Sequence, residues 1–455
     1  MAAFTSVERR AAFSLSFLYI TRMMGLFLLL PVLSVLAQDM DGATPLRIGL
    51  AVGIYALFQA LLQIPFGMLS DRFGRKPVIL AGLAIFILGS IVAALSDSIW
   101  GIIIGRAMQG GGAISAVIMA LAGDLTRDSQ RTKIMAVIGI SIGMSFMLSI
   151  IIGPLLMARF DLAGIFYFIA ASGVIAALLV VFVVPVPEQS KSDRNISLVI
   201  NEVPGLLRNS DLLKIDAGIF VLHLLITAGF VCIPLKLLGS GMAAESHWLV
   251  YLAGAVGSLA ILLPMVGIAE RKLPVNKVMT AGVVGLAISF FVVSFAPGLF
   301  WLLALSMVLF FGFLSVLESM LPSLASRTAP ASLRGTAMGI YSTSQFLGAF
   351  VGGVAGGWLV AGVGESRALL ALAIICLCWL PHVWRMKSPQ RLMNYRLGLK
   401  ESLLGTDAQS GDLGEKLGQV AGVVEVSVVS ADQAAYLKVD RTKFDESDLD
   451  RYRII

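Results

Sequence analysis

Gly67-Met-Leu-Ser-Asp71-Arg72-Phe-Gly74-Arg75-Lys76-Pro-Val-Ile79 is a charged stretch set between two long apolar segments, Arg47 to Leu69 and Pro77 to Leu95. One acid, three basic residues and two glycines are packed into a gap that the flanking runs enter almost without charge. That alternation is the pattern of helices crossing hydrocarbon and turning in water.

Working outward, the pattern repeats along most of the 455 residues. Hydrophobic residues make up 58% of the chain and charged residues 14%. A water-soluble protein of this size has no interior large enough for so much apolar surface. Apolar runs fall at roughly 11–37, 47–69, 77–96, 98–122, 134–157, 162–184, 214–238, 247–269, 275–296, 298–325, 335–361 and 366–386. In hydrocarbon each backbone group must pair within its own chain, so the expectation is an all-α membrane protein of twelve spanning helices. The first run is too long for a removable signal peptide and carries Arg22 inside it. Cys232, Cys376 and Cys378 all lie in apolar runs and offer neither a disulfide framework nor a CxxC metal site.

Loop charge sets the expected orientation. Arg9, Arg10, Arg72, Arg75, Lys76, Arg127, Arg131, Lys133, Lys191, Arg194, Arg208, Lys214, Arg271, Lys272, Lys277, Arg327 and Arg334 fall on one side, against Arg47, Arg159, Lys236 and Arg367 on the other. The positive-inside rule then puts both termini in the cytoplasm. The net charge of +6 is accounted for by topology and makes no case for nucleic acid.

The chain also repeats itself weakly. Pro65, Asp71 and Arg72 correspond to Pro264, Glu270 and Arg271; Leu121, Arg131 and Met135 correspond to Leu324, Arg334 and Met338; Trp100 corresponds to Trp301. These matches place a first six-helix half at 1–184 and a second at 214–387, with a cytoplasmic linker at 185–213. Within the linker, Ile196, Val199, Ile200, Val203 and Leu207 have the spacing of an amphipathic helix lying on the membrane surface. From Ser388 to Ile455 the composition is that of a small water-soluble α+β domain. Leu392–Leu399, Gly422–Val429 and Ala435–Asp440 read as strands, and Asp412–Val420 and Asp445–Arg451 as helices, with little chain left for a final strand. That order is ferredoxin-like. The Gly-Val-x-x-Val-x-Val pattern resembles heavy-metal-associated domains, but 405–411, where those carry a CxxC, has no cysteine, so metal–thiolate binding is not expected.

The opening stretch resembles the loop between the second and third helices of the major facilitator superfamily. The resemblance covers about residues 8–387 and is closest to the bacterial drug–proton antiporter branch. It implies two six-helix halves rocking about a midplane site, in a multi-pass protein of the bacterial inner membrane. In that family the loop is a conformational switch, here Gly67, Asp71, Arg72, Gly74 and Arg75, with Asp124 as partner of Arg75. Asp71 would sit at the positive N-terminus of the eleventh helix, around Leu333 to Thr336, and Gly67 would let the second helix approach the eleventh closely. Arg106-Ala-Met-Gln109-Gly110-Gly-Gly112-Ala matches the R-x-x-Q-G-x-G-A motif of the fourth helix, whose arginine the family ties to proton coupling. Gly25 followed by Pro31 matches a shorter signature in the first helix. The antiporter glycine motif of the fifth helix is broken: Gly153-Pro154 is present, but Phe146, Ser149, Met157 and Ala158 stand at other glycine positions.

Four ionisable residues lie deep in spans: Arg22, Arg106, His223 and Glu318, on the first, fourth, seventh and tenth helices. Those helices line the central cavity of the superfamily, so Arg22, Arg106 and Gln109 are expected to line it. Charge inside a membrane marks pathways and relays. His223 and Glu318 each stand nine residues from a basic loop residue, so both are ~13 Å below the same face and able to meet. Histidine is the side chain whose ordinary titration falls near neutral pH. Glu318 with His223, biased by Arg106, is therefore the expected proton-coupling site. The function expected is proton-coupled export of small amphipathic compounds, with the proton gradient as energy source and no cofactor, metal or enzymatic activity. The alternatives are a proton-coupled importer or facilitator of a small metabolite, and a ligand sensor signalling through the tail. The expected partners are a small-molecule substrate, protons and the lipid bilayer, with a cytosolic ligand or self-association through 388–455.

Overall fold

The computed structural model describes residues 4–185, 204–271, 274–296, 298–330, 333–386, 392–399, 407–429, 434–440 and 444–449. Among the described residues, ten helices are long and apolar enough to cross a membrane. One of these, Arg334–Trp384, is two spans parted at Gly364, whose positive φ of 78° is left-handed. The first span, Ser6–Phe27, brings the passes among the described residues to twelve.

In chain order these are α1 (Ser6–Phe27, with a further turn at Leu33–Leu36), α2 (Pro45–Phe73), α3 (Arg75–Ala94), α4 (Ile99–Gly111 continuing as Ser115–Asp124), α5 (Asp128–Met157), α6 (Leu162–Phe182), α7 (Ser210–Gly239), α8 (His247–Arg271), α9 (Val275–Phe295), α10 (Phe300–Thr328), α11 (334–363) and α12 (365–384). Local chemistry sets the starts. Thr5 and Glu8 form a reciprocal capping box on α1, and Thr44, Ser98, Asp161 and Asn209 accept first-turn N–H bonds on α2, α4, α6 and α7. Pro31 has no N–H to give, and α1 loosens between Leu28 and Val32. The seventh span begins at Ser210, four residues before the expected position. Of the linker, 186–203 lies outside the described residues, including most of the expected amphipathic helix. Its end forms a helical turn at 204–208 that seats Leu206 against Leu212, Ala329 and Ala337.

The two halves meet along α2 and α11, and glycine permits it. A Cβ on Gly49 would stand 2.2 Å from the Gly353 carbonyl oxygen, and one on Gly357 would stand 2.4 Å from that of Pro45. Gln63 of α2 donates to Thr343 of α11 at 3.0 Å. Nearer the termini the helices part: a Cβ on Gly67 or on Gly339 would meet nothing within 4 Å. The halves are thus sealed on the face away from the termini and splayed on the face that carries them.

The tail forms a three-stranded antiparallel sheet in the order β1-β3-β2, from Leu392–Gly398, Val423–Val429 and Ala434–Asp440, with α13 (Asp407–Gly418) between the first two. Leu397, Leu413, Leu417, Leu437 and Val439 make its core. The order fits the ferredoxin-like expectation. The second tail helix is a 3₁₀ turn at Glu446–Leu449, and 450–455 lies outside the described residues.

Candidate functional site

Arg22 and Arg106 are wholly buried within the first half. Arg22 donates through Nη1 to the Gln109 carbonyl at 3.0 Å and through Nη2 to Gln59 Oε1. Arg106 donates through Nη1 to the Gly25 carbonyl at 3.0 Å and to Gln109 Oε1 at 2.9 Å. Gln109 Nε2 then donates to Ser90 at 2.8 Å. The Tyr55 ring lies against both guanidinium groups, 4.9 Å from Arg106 and 5.3 Å from Arg22. Among the described residues no carboxylate takes part. Backbone carbonyls, carboxamides and ring faces neutralise two cations that cannot shed their charge. The expectation that Arg22, Arg106 and Gln109 line the cavity is corrected by this packing. They hold α1, α2, α3 and α4 to one another, because a guanidinium in hydrocarbon is stable only where acceptors surround it.

The second half is arranged differently. His223 of α7 and Glu318 of α10 lie 3.8 Å apart, Nε2 to Oε1, with side chains 17% and 41% exposed. Gln345 of α11 joins them, its Nε2 2.8 Å from His223 Nε2 and 3.4 Å from Glu318 Oε1. His223 Nδ1 in turn lies 3.3 Å from the Ile219 carbonyl, so both ring nitrogens have a polar neighbour. Three helices therefore converge on an imidazole beside a partly exposed carboxyl. Gln345 is absent from the sequence expectation. Its only signal is a carboxamide inside a glycine-rich apolar run.

The loop between α2 and α3 is gathered on Arg75. Its guanidinium pairs with Asp71, bonds Asp124 of α4 at 2.9 Å and bonds Ser70 at 2.6 Å. Gly74 turns the chain with a φ of 90°, and exposed Arg72 lies over the Phe73 ring at 5.4 Å. Two expected contacts are not made in this open conformation: Asp71 has no bond to the start of α11 among the described residues, and a Cβ on Gly67 would meet nothing within 4 Å. Both accompany the splaying: the loop here ties together one half, through Arg75, Asp71 and Asp124. Beside it Arg127 binds Glu8, at the polar start of α1 ahead of the apolar run, through Nε and Nη2, each at 2.8 Å. That bond and those from the Thr5 and Arg127 N–H groups hold the Glu8 carboxyl down at about 2.

On the sealed face Phe146 of α5 stands edge-on to Phe27, Phe230 and Phe311, with centroids at 5.1, 6.1 and 6.1 Å. Phe230 and Phe311 belong to the second half, so this ring crosses the seam. It occupies one of the positions where the expected antiporter motif has glycine. Further out, a cavity of about 460 Å³ lies between the halves, lined in part by Ser34, Gln38, Thr44, Leu235 and Glu365.

Two six-helix bundles, packed together at one face and parted at the other around a polar cluster, are the architecture of a membrane transporter. The family model of the Major Facilitator Superfamily matches residues 15–261 and 217–401, and the chain belongs to that family. It is 40% identical to the inner membrane transport protein YajR of Escherichia coli (strain K12), over 96% of this chain and 95% of the relative. It is 26% identical to the multidrug resistance protein MdtH of Proteus mirabilis (strain HI4320), over 74% of this chain and 83% of that one. The crystal structure of the nucleoside transporter NupG superposes with a TM-score of 0.68 at 14% identity, covering 84% of this chain and 99% of the other. The chain is a multi-pass membrane transporter, not an enzyme.

Proposed function

We propose that the chain is a proton-coupled exporter of small amphipathic compounds in the bacterial inner membrane, with both termini in the cytoplasm. The observation that carries this reading is the His223–Gln345–Glu318 cluster. It is a titratable pair on α7 and α10, open to the inter-half space and bridged by a side chain of α11, the helix that also packs against the first half. Glu318 takes the proton when the halves open outward and releases it when they open inward. Arg106 acts at a distance, holding the geometry of the first half. In the same reading the Arg75 cluster is the switch: Asp71 exchanges its partner for the start of α11 when the inner face closes. The proton gradient supplies the energy and no cofactor is required.

Phe146 favours a second reading, import or facilitated movement of a small metabolite, since it removes a feature of the antiporter branch. One experiment separates the two. Everted vesicles with an acid interior are challenged with a panel of lipophilic cations and small metabolites, and proton efflux is followed. Export predicts efflux with some compound that is lost in Glu318→Gln. Silence across the panel, with uptake of a metabolite by intact cells, overturns export.

A further inference from the structure

The cavity of about 460 Å³ on the sealed face shares no lining residue with the His223–Gln345–Glu318 cluster. Its first-half wall comes from the end of α1 and the start of α2, its second-half wall from the end of α7 and the break between α11 and α12. Gln38, Thr44, Leu238 and Gly239 form an exposed rim, and Ser34, Ile48 and Val231 are buried. The polar groups on offer are mostly acceptors. Glu365, at the start of α12, is the one charged residue of the lining and has no hydrogen-bond or ion-pair partner among the described residues. Gly239 borders its carboxylate: a Cβ there would stand 3.4 Å from Glu365 Oε1. On the opposite wall Gln38 commits Nε2 to the Ser34 carbonyl at 3.2 Å, which leaves the carboxamide oxygen available. The buried Ser34 hydroxyl has no partner. Two basic residues of this face are engaged elsewhere. Arg47 donates to the Gly42 carbonyl at 2.6 Å and lies over the Trp100 ring, and Lys236 donates to Ser366 at 3.0 Å. Ile48, Val231, Leu235 and Val360 make the rest of the wall aliphatic, and no aromatic side chain lines the space among the described residues.

An unpaired carboxylate and neutral acceptors in an aliphatic pocket complement a ligand that is cationic, donates hydrogen bonds and carries an alkyl stem. A primary ammonium has the donors. A quaternary ammonium has none, and the aromatic faces that hold such a group elsewhere are missing here. We infer that this cavity is a second binding site, for a primary alkylammonium whose head group pairs with Glu365 and whose stem lies along the aliphatic wall. Gln38 and Ser34 offer further acceptors from the first half. An occupant therefore touches both halves. It binds best while this face is sealed and, by linkage, holds the carrier open on the face of its termini. Only that last step rests on the rocking of the halves assumed in the proposed function; the site itself does not. The ammonium reaches the rim either from water or as the head group of a membrane lipid.

The test is calorimetric titration of hexylammonium into the full-length protein in phosphatidylcholine nanodiscs, with empty nanodiscs subtracted. Saturable binding is expected, weakened about tenfold or more in Glu365→Gln. Leu235→Trp, which fills the cavity, should abolish it, and tetraethylammonium and hexanol should bind far more weakly than hexylammonium. No saturable binding, or equal binding in the native chain and both variants, overturns the site. Repetition in phosphatidylethanolamine nanodiscs separates the two sources. A weaker apparent affinity there identifies the lipid head group as a competing occupant, and an equal affinity assigns the site to a water-borne amine. The lock is read from labelling of a cysteine introduced as Gly339→Cys on the parted face. Hexylammonium should raise its rate about twofold or more, and not when Glu365→Gln is also present. Unchanged labelling overturns the lock and leaves the site in place. None of these measurements involves Glu318, so failure here and failure of proton-coupled export are told apart.

Discussion

Arg22 and Arg106 in the first half are enclosed on every side, whereas Glu318 in the second is open along much of its side chain and His223 partly so. Both halves place charge inside the membrane, and the difference follows from acid–base chemistry. A guanidinium stays charged at any accessible pH, so it must be surrounded by acceptors and, once surrounded, becomes a rigid joint. A carboxyl or imidazole can become neutral, so it tolerates a cavity and must keep access to water to exchange its proton. The first half is therefore built as a closed frame, and in the proposed reading the second carries the titrating pair.

The largest effect should come from breaking the frame. Arg106→Ala leaves Gln109 and the Gly25 carbonyl without their donor and should cost ~3 kcal/mol or more. Thermal unfolding of the purified protein should show it as a large drop in Tm, with little carrier reaching the membrane. Glu318→Gln is the matching change in the second half. It should move stability by only about 0.5 kcal/mol while abolishing substrate-driven proton movement in vesicles. A large Tm loss there would erase the distinction between frame and titrating site. Phe146→Ala sharpens the comparison at the seam, since its ring contacts are each worth ~0.5–1.5 kcal/mol beyond buried area. The sealed face should open more often, read as faster labelling of a cysteine placed at Thr44.

The smallest effect concerns acid stability of the first half. The Glu8 carboxyl is held at about 2 in the fold, against an ordinary 4.5. A depressed carboxyl stabilises fully above its unfolded value, and that contribution fades as pH falls from about 4.5 toward 2. Between pH 6 and 3 the Tm of the native chain should therefore fall more steeply than that of Glu8→Gln. Equal slopes would show that the Glu8–Arg127 contact does not persist in solution.

Much of this was legible in one dimension. Span positions and loop charges follow from local composition, and the switch loop was readable from Gly67 to Ile79. His223 and Glu318 could be matched because both depths are counted from basic loop residues along helices of known rise. The same counting fails for rotation about the helix axis. It placed Arg22, Arg106 and Gln109 in the cavity, while the fold turns them into the packing between α1, α2, α3 and α4. It missed Gln345, whose role exists only because α11 lies between α7 and α10, and it read Phe146 as a broken motif where the ring fills a seam.

The amino-acid sequence by itself determined the twelve apolar passes, the pseudo-repeat and the inventory of membrane charges. These depend on hydrophobicity and spacing along one chain. The tertiary structure alone decided which charges are sealed and which face water, that Asp71 pairs with Arg75 in place of α11, and that the carrier is open on the face of its termini. Those depend on how helices distant in the chain rotate and tilt against one another, where a shift of one helical face turns a cavity residue into a buried one.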